Sequence, residues 1–165
     1  MSEINNINII AKIEDNIKAA LDGDNKKNAL DFVAHLMGTG MTPEITSHPM
    51  FKYMDEFACL IVLIEKNENS PFGMWFACCW GNYDVYEHDN FPVDEGLKEF
   101  AQANVKKCFN CGGCDTPKGC KMIFGKEYDG VCCNVFHFDS PNSKVLENAK
   151  TLMELQKYII ADAKN

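Results

Sequence analysis

Two apolar runs close together in the chain restrict its fold more than anything else. Phe57 to Ile64 reads Phe-Ala-Cys-Leu-Ile-Val-Leu-Ile, and Phe72 to Trp80 reads Phe-Gly-Met-Trp-Phe-Ala-Cys-Cys-Trp. Both are short and rich in β-branched or aromatic residues, which favours strands over helices. In the second run Met74, Phe76, Cys78 and Trp80 alternate with Trp75, Ala77 and Cys79. Both sets are apolar, so such a strand needs cover on two faces. Lys66 to Pro71 is a polar, hairpin-type loop between the runs, and Asp55-Glu56 can turn the first run back on a strand at Met50 to Tyr53. The expected unit is an antiparallel meander with helices packed on it.

The flanking sequence supplies those helices. Ile10, Ile13, Ile17, Ala20 and Leu21 recur at helical spacing over residues 3–21, with charged residues between them. Gly23 and Asp24 can cap the junction with a second helix to about Met37, buried through Ala29, Leu30, Val33, Leu36 and Met37. Thr42-Pro43-Glu44 predicts a further helical turn. Asp94 can cap a helix over about 95–107, with Leu97, Phe100, Ala101 and Val105 apolar. Val131 to Phe138 reads as another strand. After Asp139-Ser140-Pro141, a last helix over about 142–163 carries a wide apolar stripe from Val145 to Ile160. The expectation is a single α+β domain over residues 1–165, an antiparallel sheet of about four or five strands covered by about four helices, with a cysteine-rich metal-binding loop as an excursion at 106–133.

That excursion carries the chemistry. Six of the nine cysteines lie between Lys106 and Phe138. Cys108-x-x-Cys111 and Cys111-x-x-Cys114 overlap, and each such turn puts two sulfurs at the separation a tetrahedral ion accepts. Gly112-Gly113 lets the backbone fold round an ion, and Lys106, Lys107, Lys118, Lys121 and Lys126 favour thiolates. Structural zinc takes four ligands and joins two pieces of chain. Cys132, opening the later strand, is the expected fourth ligand after Cys108, Cys111 and Cys114. Cys120, Cys133 and His137 are its substitutes. Adjacent strand residues face opposite ways, so Cys132 and Cys133 share one ion only if the strand is irregular. An iron–sulfur cluster is the alternative occupant, and a loop of free thiols without metal is the remaining reading. The spacing supplies three of the cluster's ligands but lacks the fourth cysteine followed by proline. A redox dithiol at Cys111-Gly-Gly-Cys114 ranks lower, because the pair follows a helix end instead of opening one.

Charge and composition narrow the partners. The net charge is −8 and all sixteen basic residues are lysine, so no arginine is present for bidentate phosphate or guanine contacts. Nucleic acid and anionic membranes are poor partners for such a chain. No apolar run approaches the roughly 18 residues of a membrane helix, and the N-terminus lacks the pattern of a signal peptide. The expected compartment is the cytoplasm, where cysteines are reduced or metal-bound. Trp75, Trp80, Phe72 and Phe76 fit a core better than a pocket, and Cys59, Cys78 and Cys79 fit inert core thiols. His35 reads as a satisfied or surface residue. His88, among Tyr83, Asp84, Tyr86, Glu87 and Asp89, fits a solvated acidic loop better than a catalytic cluster. No phosphate loop, nucleophile elbow or His-Glu-x-x-His motif is present.

Ala29 to Pro43, Ile123-Phe-Gly-Lys-Glu-Tyr-Asp-Gly-Val-Cys132 and the last helix together resemble a family of uncharacterised small cysteine-containing proteins from anaerobic bacteria. The resemblance implies a stand-alone domain and carries over no catalytic residue. The leading expectation is a binding or interaction module with structural zinc, its protein or small-molecule partner unspecified. The alternatives are a thiol or iron–sulfur redox protein and an enzyme with an aromatic pocket near His88.

Overall fold

The computed structural model describes residues 3–80, 93–108 and 120–165. Among these residues four helices, α1 (Glu3–Ala20), α2 (Gly23–Gly38), α3 (Glu95–Ala103) and α4 (Ser143–Ala163), accompany eight strands. Six of these, β1 (Thr42–Ile45), β2 (Pro49–Tyr53), β3 (Glu56–Ile64), β4 (Met74–Trp80), β5 (Val105–Lys107) and β8 (Val131–Asp139), form one antiparallel sheet in the order β1-β2-β3-β4-β8-β5. The others, β6 (Lys121–Ile123) and β7 (Lys126–Tyr128), make a separate hairpin. The α+β class is as expected, and the main sheet has one strand more than the upper expectation.

Register defines the two faces of the sheet. Pro43, Phe51, Cys59, Cys79, Phe136 and Val105 form one row across all six strands, and Ile61, Ala77 and Phe138 form the next. Except for half-buried Val105, these residues are buried. The helices supply their cover through Ile13, Ile17, Phe32, Val33, Leu36, Leu152, Met153 and Leu155, all in the same apolar cluster. At about 1.5–3 kcal/mol for each large side chain removed from water, this face dominates the favourable side of folding. The opposite face carries Met50, Leu60, Val62, Phe76 and His137 half-buried, Cys78 buried, and Ile64 and Met74 exposed. The cover expected on two faces is therefore complete on one and partial on the other among the described residues.

Two local readings are corrected, and one further element is found. Thr42-Pro43-Glu44 is strand β1, not a helical turn. Buried Met41 donates its N–H to the Leu36 carbonyl at 3.1 Å and leads the chain onto the sheet edge, where a proline costs little ladder bonding. The third helix ends at Ala103 instead of continuing to 107. Asn104 turns its side chain back to the Phe100 carbonyl at 2.8 Å, and Val105 pairs with Phe136. The β6–β7 hairpin was not anticipated. It turns through Phe124 and Gly125, both at positive φ, and Gln102 of α3 donates to the carbonyls of Ile123 and Phe124 at 3.3 and 3.2 Å.

The corner between α1 and α2 is locked to the turn before β4. Asp22 N–H donates to the Phe72 carbonyl at 2.9 Å, Asn25 donates to the Gly73 carbonyl at 2.9 Å, and Lys66 pairs with Asp22 at 2.9 Å. Gly73 has φ +70°, and a Cβ there would overlap the Ala20 carbonyl and come within 2.9 Å of Leu21 Cδ2. Gly125 has φ +75° with open space around it. Gly73→Ala is expected to cost more than about 2 kcal/mol and Gly125→Ala about 1 kcal/mol, since only the first adds overlap to backbone strain. Urea denaturation of the two variants measures the difference, and equal losses would contradict the docking of this corner.

Candidate metal centre

The described ends of the cysteine segment meet at one end of the sheet. Cys108 follows directly on β5, and its N–H donates to the Gly130 carbonyl at 2.8 Å. The adjoining pair is Lys107 with Val131, so the chain enters the segment beside the residue that opens β8. Cys132 and Cys133 come next along that strand. The backbone ladder therefore brings Cys108 near the expected anchor Cys132. Cys111 and Cys114 lie outside the described residues, as do His88 and its acidic neighbours.

β8 is irregular where Cys132 and Cys133 lie. From Val131 to Phe136 it advances five residues, while β5 advances two, from Lys107 to Val105. Against β4, the step from Trp80 to Cys79 corresponds to two residues, Asn134 to Phe136. Such bulges re-aim side chains. The sulfurs of Cys132 and Cys133 lie 4.0 Å apart, and both residues are half-buried. The irregular strand required for both thiols to face one place is thus present. Next to them, Asn134 Oδ1 is buried without a hydrogen-bond partner among the described residues.

The surroundings sort the remaining thiols. Burial, followed by the nearby Cys59 and Cys132, pushes the Cys78 thiol up to about 12. Cys79 is pushed well up by complete burial and by Cys59, and its Sγ lies 3.7 Å from Met153 Sδ. These stay protonated and behave as small apolar residues, in keeping with the core assignment. Cys120 is exposed, 3.7 Å from Asp129 Oδ1, and its thiol is raised by local desolvation and then by the Asp129 and Glu127 charges. The acidic neighbours oppose the thiolate form of Cys120. Among the described residues, no three His, Cys, Asp or Glu side chains gather into a complete metal site.

His137 lies across from Cys78, with its ring edge against Phe76 at 4.7 Å between centroids. Asp139 is 3.5 Å from its Nδ1, an ion-pair distance without hydrogen-bond alignment. His35 Nε2 lies 3.4 Å from a Glu154 carboxylate oxygen, an ion-pair distance, yet it is buried without a hydrogen-bond partner among the described residues, so the expectation of a satisfied or surface histidine is not met. Trp75 is wholly buried and part of the core, while Phe72 is exposed. A cavity of about 580 Å³ lies between the end of α1 and the β1–β2 turn, lined in part by Asn16, His48, Glu65 and Lys66. It is at the opposite end of the sheet from Cys132 and has no cysteine in its lining.

Burial lowers the His137 pKa below its ordinary 6.5; Asp139 opposes that shift and Lys106 adds to it. The unfolded chain therefore binds the proton more readily than the folded one. Stability must fall as pH drops below about 6.5 and continue falling until the folded-state histidine also titrates. Urea midpoints measured at pH 7.5 and at about pH 5.5 should differ less in His137→Gln than in the wild type. An unchanged difference would show that His137 does not contribute.

No protein-family model, curated protein or solved structure matches the chain.

Proposed function

We propose that the protein is a small metal-binding module whose ion, zinc, is held by Cys108, Cys111, Cys114 and Cys132 and has a structural role. The observation that carries this reading is the 2.8 Å hydrogen bond from Cys108 N–H to the Gly130 carbonyl. It brings one end of the paired Cys-x-x-Cys turns next to the strand that bears Cys132. The intervening segment has little apolar content of its own, so an ion joining its ends would supply free energy for ordering it. Four sulfur ligands leave no open position, which separates a structural from a catalytic zinc site.

The module acts by binding a partner, and its acidic, arginine-free sequence favours a protein or small molecule over nucleic acid. None of the described helices is long and apolar enough to cross a membrane. A reducing compartment such as the cytoplasm suits thiolate ligation.

Elemental analysis of purified protein should find one zinc per chain and no visible absorption; colour with bound iron would replace zinc by an iron–sulfur centre. Cys111→Ser is expected to lose the metal and lower the melting temperature. Cys79→Ser should keep the metal, because its thiol lies in the core against Met153. Equal metal loss in both variants would refute the ligand assignment.

A further inference from the structure

We propose that Cys132 and Cys133 ligate the same thiophilic metal ion, as a vicinal dithiolate chelate. A regular strand points neighbouring side chains to opposite faces. Here β8 has three more residues than β5 between Val131 and Phe136, a stretch that contains both cysteines, and a further mismatch against β4 follows at Val135. Their sulfurs are 4.0 Å apart. Metal–sulfur bonds near 2.3 Å in a tetrahedron put two ligands about 3.8 Å apart. The pair thus spans close to one edge of such a site, and small side-chain adjustments suffice to close it.

The chemistry of the donors selects the ion. Two thiolates balance a divalent charge and favour soft or borderline ions, zinc and cadmium before magnesium or calcium. Both residues are half-buried, which leaves a route for the ion while excluding part of the solvent. The inference deepens the zinc reading and rests on it for the ligands that complete the coordination shell. It also changes that reading: with Cys132 and Cys133 both bound, a tetrahedral ion takes only two of Cys108, Cys111 and Cys114.

Cadmium titration of reduced, metal-free full-length protein tests this through the ultraviolet sulfur-to-cadmium charge-transfer band. Cys132→Ser and Cys133→Ser should each lower the band per ion by the same step and weaken cadmium by more than about tenfold. Cys120→Ser should change neither. A Cys133→Ser variant with the wild-type band and affinity overturns the proposal, even if Cys111→Ser loses all metal and so upholds the zinc reading. Zinc retention in Cys111→Ser, together with parallel losses in Cys132→Ser and Cys133→Ser, sinks that earlier ligand set and supports the pair. Should either serine variant misfold by circular dichroism, the triple variant Cys108→Ser, Cys111→Ser, Cys114→Ser decides. A two-sulfur cadmium band in it supports the chelate, and no band overturns it.

Discussion

The structure depends on β4 being hydrogen-bonded on both sides. β3 and β8 flank it, and their registers align Cys59, Cys79 and Phe136 in one row and Ile61, Ala77 and Phe138 in the next. These rows form the floor on which the helices pack, with Cys79 touching Met153 of α4. A slip of one residue would send Trp75, Ala77 and Cys79 to the opposite face and strip the helices of their floor. Burial of that face is what makes the register unique, and the unique register fixes where β8 returns.

The return of β8 connects the core to the candidate metal centre. Its C-terminal half, Phe136 to Asp139, pairs regularly with β4 and carries buried Phe136 and Phe138. Its N-terminal half gives up regular pairing between Val131 and Phe136. The regular half anchors the strand, and the irregular half turns two adjacent thiols to one side. Lost ladder bonds have a free-energy cost, and a bound ion would offset it through the sulfurs the bulge brings together. The same end of the sheet receives Cys108 from β5. Thus one edge strand and the irregular half of β8 place Cys108, Cys132 and Cys133 at the same end of the sheet.

Legibility in the sequence followed the amount of apolar surface each element buries. α1, α2, α4, β3, β4 and β8 carry strong periodicity or continuous apolar runs, and each is found within a few residues of its expected limits. Strands β1, β5, β6 and β7 are three or four residues long and owe their form to neighbours. Val105 is apolar at a helical spacing from Ala101, so nothing local distinguishes a continued helix from an edge strand. Pairing with Phe136 decides it. Pro43 after Thr42 looks like a helix start until Met41 is buried and β2 lies alongside. The closeness of Cys132 and Cys133 was equally hidden, because strand alternation predicts opposite faces and only the pairing mismatch with β5 reveals the irregularity.

By itself the sequence determined the α+β class, the buried strands, the three long helices and the cysteines able to serve as ligands. Those properties come from composition and spacing within single segments, where local periodicity states which face must leave water. Tertiary structure alone decided the six-strand order, which face of the sheet the helices cover, and the convergence of Cys132 and Cys133. These depend on hydrogen bonds between segments far apart in the chain, and no local pattern encodes the register in which distant strands meet.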